Sequence, residues 1–399
     1  MKHPRPNRFC YGLAQGVSWV VANCIFKRKF IRNEIRGKKG PFVVLANHQA
    51  AYDFVNLIGA TSRPMSFVIS RSFFSTLPIQ GFLKKMGVIP KQQFQTNASD
   101  LKKMKAVVDR GDPLVIYPAG LMCEDGLSTP IPGATYKFIK WMDADIYIAR
   151  TRGTYFVMPK WSKGFRPGRT TMDIYKLFSK EELRQLSLDQ IREKADAALL
   201  YDAYREQEEL KARYKKGSNI RGLENVLYMC PECGEEFSIT AWEDDTLRCT
   251  HCGFETVSDE YGFLQTEKGQ LRYVSDWSRR IQDDLRKKLL SGEHIHLSSP
   301  VEIRVVDEKK HKFVTAGSGT LTMEDGTFCL TGQIFGQDKE ITLPAGSVPT
   351  LPFSPGKYLE LQEGNMIYRC LPEQGHLVMK YINVLKIAYD LNRKAKAPV

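Results

Sequence analysis

The sequence predicts an α/β chain: a mixed, mostly parallel sheet flanked by helices, followed by a four-cysteine zinc ribbon and a β-rich C-terminal domain. Three observations predict it. Short apolar runs alternate with helical stretches from about residue 40 to 160. Two C-x2-C pairs stand fifteen residues apart between Cys230 and Cys252. From about residue 300, short strand patterns broken by turn residues end in one amphipathic helix.

The 399 residues are too many for one ordinary core, and the pattern divides them into five stretches. These are a basic, apolar membrane-surface helix (1–39), an α/β domain (40–225), the ribbon (226–256), a helical linker (257–298) and a β-rich barrel with a C-terminal helix (299–399). A hydrophobic share of 42% and a charged share of 26% indicate a folded chain. The net charge of +13 implies an anionic partner, and its distribution points to a membrane surface. Lys2, Arg5, Arg8, Lys27, Arg28, Lys29, Arg32, Arg36, Lys38 and Lys39 face one acid, Glu34, in the first forty residues. Between those basic clusters Phe9–Phe26 carries no charge. Its length sits at the lower limit for a spanning helix. A helix lying in one leaflet, a transmembrane helix and a core helix all fit, and the leaflet reading fits the flanking charges best. No small-residue cleavage site follows the run, so no secretory signal peptide is expected. Five of the nine cysteines are scattered, as expected of a reducing compartment.

Within the α/β stretch, Phe42–Ala46, Met65–Ile69, Leu114–Tyr117 and Ile146–Ala149 read as buried strands. Ala98–Asp109 reads as a helix with Ser99 as a candidate cap. Residues 179–216 read as one long, charged helix. Ser179–Glu182 forms a capping-box start, and Ser187–Gln190 is a second candidate start. Beyond the ribbon, Ser275–Leu290 reads as a helix. Turns are expected at Asp325-Gly326, Pro355-Gly356 and Glu363-Gly364-Asn365. Leu377, Tyr381, Val384, Leu385, Ala388 and Leu391 then follow the helical period. Strands closed by one helix resemble a pleckstrin-homology-like barrel in their order of elements.

The first buried strand runs straight into Asn47-His48, and Asp53 follows His48 after four residues. Open α/β sheets place their sites at the carboxyl ends of strands. A His with a nearby Asp can form a base and its orienter, the Asp fixing the tautomer while the other ring nitrogen takes a proton. A capping Asp beside a surface His is the structural alternative.

More of the chain then lines up in order. Ser70-Arg71, Phe73-Phe74, Gly81-Phe82 and Met86–Lys91 form a second block. Tyr117-Pro118-Ala119-Gly120 forms a third, and Tyr155–Pro159 falls where a fourth, Pro-containing strand belongs. Together these blocks, over residues 40–160, resemble the lysophosphatidic-acid acyltransferase family of glycerolipid acyltransferases. The resemblance implies transfer of a fatty acyl group from acyl-CoA or acyl-carrier protein directly to a lysolipid hydroxyl, with no covalent enzyme intermediate. It implies His48 as general base, Asp53 as its orienter, and backbone amides near the site as the oxyanion's partners. Asn47, Pro118, Ala119 and Gly120 would line the substrate site, and Arg71 and Lys91 would hold a phosphate. The sequence also departs from the family: Ala119 stands where the third block has Glu, Met122 where it has Arg, and Gln92-Gln93 where the second block often ends in a basic residue. Glu124 is the candidate replacement for the lost carboxylate. The acceptor is therefore open between a 1-acylglycerol-3-phosphate-like lysophospholipid and another lipid alcohol.

Cys230, Cys233, Cys249 and Cys252 supply four thiolates on two knuckles, each followed by a Gly (Gly234, Gly253). Four thiolates leave no open coordination position, so the zinc is expected to be structural. Phe237–Trp242 is expected to form part of a hairpin, and His251 to be a bystander. Glu232, Glu235, Glu236, Glu243, Asp244 and Asp245 make the ribbon acidic, which argues against nucleic acid as a partner. The combined reading is an acyltransferase on the cytoplasmic face of a membrane, peripheral or monotopic, acting in phospholipid synthesis with membrane lipids and an acyl-CoA or acyl-carrier-protein donor. The competing reading is a catalytically silent acyltransferase fold that binds lipid or serves as a scaffold. The Tyr136–Trp141 and Arg150–Arg152 segments carry no assignment from sequence.

Overall fold

The computed structural model describes residues 3–94, 97–214, 220–242, 245–266 and 271–395. Lys2 of the basic cluster, Lys215 and Lys216 of the charged stretch, and Glu243 and Asp244 of the ribbon lie outside the described residues. Two compact units divide the chain, the first over residues 1–160 and 164–217 and the second over 161–163 and 218–399.

The first unit is built on a seven-stranded sheet. Its strands are β1 (Arg28–Asn33), β2 (Phe42–Ala46), β3 (Ser66–Ser70), β4 (Ile89–Lys91), β5 (Leu114–Ile116), β6 (Asp145–Arg152) and β7 (Thr170–Phe178), in the order β1-β7-β6-β2-β5-β3-β4. Every neighbouring pair is parallel except β6 with β7. The helices of this unit are α1 (Arg8–Cys24), α2 (Asp53–Ile58), α3 (Arg71–Ser75), α4 (Gln80–Lys85), α5 (Ala98–Asp109), α6 (Ala134–Met142), α7 (Thr154–Val157), α8 (Lys180–Gln185), α9 (Leu188–Leu199) and α10 (Ala203–Leu210).

β2 is apolar at every position because helices cover both faces of this central strand. Val43 and Leu45 join Met104, Val107, Ile139, Ile191 and Ala195 in one core. Phe42, Val44 and Ala46 alternate to the opposite face and join Tyr11, Leu57, Ile58 and Phe74 in the other. The arrangement is a three-layer α/β/α unit, and it places Asn47 and His48 just past the carboxyl edge of the central strand.

Several local expectations are corrected. The basic stretch after α1 is not part of a surface helix, because residues 28–33 form an edge strand parallel to β7. Charged side chains suit such an edge. Tyr155–Pro159 is not a strand. Gly153 turns the chain with φ of +85° at a point where a Cβ would stand 2.7 Å from the Tyr214 hydroxyl, and a short helical turn follows. Asn97, not Ser99, caps α5, its side chain accepting from Ser99 N at 2.9 Å. The long charged helix is three helices. Capping boxes form at both Ser179 and Ser187, Leu186 and Leu200 are extended, and Asp202 caps α10. A second cap inside a helical pattern is a start signal, and it implies a stop just before it.

α1 is neither a spanning nor a core helix. Among the described residues no helix is long and apolar enough to cross a membrane. α1 buries Tyr11, Ser18 and Ala22, and Gln15 Nε2 donates to Ile58 O and Thr61 O. Its larger apolar side chains point the other way: Phe9, Leu13, Val17 and Val20 are each more than half exposed.

The second unit begins with a small antiparallel sheet of β8 (Ile239–Ala241), β9 (Thr246–Cys249), β10 (Glu255–Ser258) and β11 (Leu264–Gln265), followed by α11 (Val274–Leu290). An antiparallel sheet of β12 (His296–Asp307), β13 (Lys312–Glu324), β14 (Thr327–Ile334), β15 (Gln337–Leu343), β16 (Phe353–Ser354), β17 (Tyr358–Glu363) and β18 (Met366–Pro372) comes next. A four-strand and a three-strand meander meet where β12 pairs with β18. The predicted turns at 325–326, 355–356 and 363–365 each separate two of these strands. The edges β15 and β16 do not pair among the described residues. Helix α12 (Leu377–Ala395) buries Val378, Tyr381, Ile382, Val384 and Leu385, with the Tyr381 hydroxyl donating to Leu321 O at 3.0 Å.

Candidate active site

His48 leaves the end of β2, and Asp53 opens α2 beneath it. His48 Nδ1 and Asp53 Oδ2 are 3.0 Å apart. The same carboxylate oxygen accepts from Gln49 N at 2.6 Å and Ala50 N at 2.9 Å. The Asp53 side chain is fully buried, whereas His48 retains 20% of its side-chain surface. With Nδ1 turned to the carboxylate, Nε2 is the nitrogen left for chemistry. The Tyr117 ring lies against the imidazole, centroids 4.6 Å apart, and burial holds its hydroxyl well above the usual phenol range.

Three other groups fix the loop that carries His48. Asn47 spends its side chain on β6: Nδ2 donates to Thr151 O at 2.8 Å, and Oδ1 accepts from Thr151 N and Oγ1. Tyr201, between α9 and α10, donates its hydroxyl to His48 O at 2.9 Å. Gln49 is buried, its Oε1 accepting from Thr154 Oγ1 and Tyr155 N and its Nε2 donating to Glu206 Oε2. Burial raises the Glu206 carboxyl above the usual range, while Arg150 opposes that rise with bonds of 3.1 and 2.7 Å. Tyr201 and Glu206 left no mark in the sequence, because their partners lie about 150 residues away. Arg150, unassigned from sequence, is the counter-charge of Glu206. Tyr136 is a core residue of α6 whose hydroxyl donates to Asp196 Oδ1 at 2.5 Å.

A narrow pocket opens at His48. Asn47, Pro118, Ala119, Ser128, Thr129 and Tyr201 line it, with Ala46, Ile131, Leu199 and Leu200 behind them. Pro118 and Ala119 thus line the same pocket as His48. Gly120 does not line the pocket; its carbonyl accepts from Gln93 Nε2 at 2.5 Å. Glu124 is buried and also does not line the pocket. Arg71 and Lys91 sit at the carboxyl ends of β3 and β4, two and three strands from β2. Arg71 pairs with the buried Asp100 at 3.3 Å, and Lys91 Nζ donates to Gln92 O at 2.9 Å. Burial lowers the Lys91 ammonium from its usual value.

The four ribbon cysteines form a second constellation. Their sulfurs all lie within 4.8 Å of one another, with Cys230–Cys252 at 3.6 Å and Cys233–Cys249 at 3.8 Å. A disulfide would need about 2.05 Å. Tetrahedral Zn–S bonds of about 2.3 Å place sulfurs roughly 3.8 Å apart. The two knuckles repeat one turn: Gly234 N bonds Cys230 O and Gly253 N bonds Cys249 O, each at 3.1 Å, with φ of +76° and +75°. The donor set fits a structural zinc. Phe237–Trp242 supplies β8 of a hairpin with β9, as expected.

Comparison with known proteins matches two segments of the chain. Residues 27–159, one third of the chain, match the model of the acyltransferase family. Residues 223–257 match a zinc-ribbon family described as DNA-directed RNA polymerase, 7 kDa subunit. Among solved structures, the 1-acyl-sn-glycerophosphate (LPA) acyltransferase PlsC from Thermotoga maritima is 18% identical with a TM-score of 0.40, covering 52% of this chain and 81% of that one. The Ran binding domain of the nuclear complex component Nup2 from Ashbya gossypii is 10% identical with a TM-score of 0.20, covering 24% of this chain and 97% of that one. Neither structural likeness is close enough to carry an argument. No curated protein matches. An acyltransferase-family domain therefore occupies residues 27–159, and a zinc ribbon residues 223–257.

Proposed function

We propose that this acyltransferase-family domain moves a fatty acyl group from acyl-CoA or acyl-carrier protein to a lipid hydroxyl at a membrane surface. The observation that carries the proposal is the His48–Asp53 pair at the carboxyl end of β2, with Nε2 free to face the pocket. The acceptor hydroxyl gives its proton to His48 Nε2 as its oxygen bonds to the thioester carbonyl carbon. The tetrahedral intermediate then expels the thiolate, which takes the proton back from the imidazolium. Asp53 holds the ring in the Nδ1–H tautomer and balances its charge during the transfer. The resemblance supplies the first acceptor class to test, lysophospholipids of the 1-acylglycerol-3-phosphate type, and with it a place in phospholipid synthesis. The exposed apolar side of α1 and the exposed Arg5 and Arg8 at its start support a peripheral or monotopic seat on an anionic leaflet.

A second reading, a silent acyltransferase fold that binds lipid, is favoured by Ala119 and Met122 in the third block. Transfer from labelled oleoyl-CoA to a panel of lysolipids and lipid alcohols, compared with His48→Ala, separates the two. Turnover that drops at least about 10²-fold in the mutant supports the enzyme. Vesicle binding without turnover in either protein supports the silent fold.

A further inference from the structure

The charges around His48 narrow the acceptor. A phosphomonoester on the carbon beside the reacting hydroxyl carries close to two negative charges into the pocket. Such a group needs cations or several donors at hand, because an uncompensated buried charge is costly. The pocket provides no cation. Apart from His48 itself, every residue that lines it among the described residues is uncharged.

Basic side chains at that edge of the sheet stand off the pocket lining. Arg71 and Lys103 share the buried Asp100. Lys91 is desolvated and bonded to Gln92 O. Strand spacing of about 4.8 Å sets the backbones at the ends of β3 and β4 roughly 10 and 14 Å from that of β2. Arg150 bonds Glu206, Ala198 O and Leu200 O, and Arg152 pairs with Glu206 and Glu209. Met122 takes the place of the arginine that the acyltransferase resemblance would supply.

What the pocket offers instead is hydroxyls. Ser128 and Thr129 line it with no side-chain hydrogen bond to another described residue. Such groups suit an uncharged head bearing a second hydroxyl, which can both donate and accept. Leu199, Leu200 and Ile131 complete an apolar wall.

We propose that the acceptor at His48 is a neutral lipid with a hydroxyl-bearing head, of the monoacylglycerol class, and not a phosphomonoester. The inference rests on the acyl-transfer reading above. Initial rates with oleoyl-CoA are to be compared for monooleoylglycerol, 1-oleoylglycerol-3-phosphate and hexadecanol in the same vesicles. The expected result is kcat/KM at least about tenfold higher for monooleoylglycerol than for the phosphate, since a buried unpaired charge costs at least that much. Thr129→Val, which nearly keeps the volume and removes the hydroxyl, is expected to raise KM for monooleoylglycerol about fivefold more than KM for hexadecanol, which has no second hydroxyl. Equal or better use of the phosphate overturns the inference while acyl transfer stands. An equal effect of Thr129→Val on both neutral acceptors overturns the recognition of the second hydroxyl. No transfer to any of the three, or to other lysolipids, removes the acyl-transfer reading and this inference with it.

Discussion

Asp53 concentrates its bonding on one oxygen. Oδ2 takes His48 Nδ1 and two backbone amides, while Oδ1 is buried with no hydrogen bond among the described residues. A buried carboxylate is costly unless it is well bonded, and the two amides supply part of that compensation in the resting state. The remainder is available when the imidazole becomes cationic, which is when a general base needs it. Asp53→Asn tests this division. Its carbonyl can still take the Gln49 and Ala50 amides, so the loop should keep its shape. The charge facing the ring is lost. The expected outcome in steady-state assays is a fall in kcat of about 10²-fold or more with KM changed by less than about threefold. A kcat within about threefold of wild type would mean that Asp53 only shapes the loop. The neighbouring side chains divide their work differently. Asn47, one position past the strand end and adjacent in sequence to His48, bonds Thr151 through both ends of its amide, which sets the loop.

At the scale of elements, α1 is the helix whose packing is least satisfied. It is fastened from below by Gln15 and at its start by Asn7, whose N–H donates to Lys85 O at 2.7 Å. Its outward stripe of Phe9, Leu13, Val17 and Val20 has the spacing of a single helical face. A contiguous exposed apolar stripe is costly in water and marks a surface that something covers. On the membrane reading, Leu13→Glu with Val17→Glu should cut sedimentation with anionic vesicles at least about tenfold. Because both side chains are outside the core, Tm should move by less than about 2 °C. Unchanged vesicle binding would assign the membrane contact to another surface.

The same elements explain what the sequence could disclose. β2 was legible because a strand buried on both faces must be apolar throughout, and the polar Asn47-His48 then marks its end. The ribbon was legible because zinc demands four thiolates at fixed spacing. β1 was hidden, since an edge strand with charged side chains carries no strong period. The clamp of Tyr201 and Glu206 was hidden for a different reason. Such contacts are fixed by the fold of α9 and α10 against the His48 loop, and no local pattern encodes them.

Over the whole molecule, the two constellations fall in different compact units, the His48–Asp53 pair in the first and the four ribbon cysteines in the second. Within the second unit the first knuckle is tied to its surroundings. Trp277 Nε1 on α11 donates to Met229 O at 2.8 Å, Lys380 on α12 pairs with Glu236 at 2.5 Å, and the Phe237 ring lies against His376 with centroids 4.7 Å apart. The ribbon itself is small, and structural zinc supplies on the order of 10 kcal/mol to folds of this kind. Removing it should therefore loosen α11 and the seat of α12 along with the knuckles. The first unit has two cores of its own and no share in the metal site. A strong chelator should accordingly shift one of two calorimetric transitions down by at least about 10 °C and leave the other within about 2 °C. Acyl transfer measured below the lower transition should stay within about twofold of the metal-loaded protein, because a zinc held by four thiolates has no open position for substrate. If activity instead falls in proportion to the zinc released, the metal unit takes part in turnover and the division of labour between the two units is wrong.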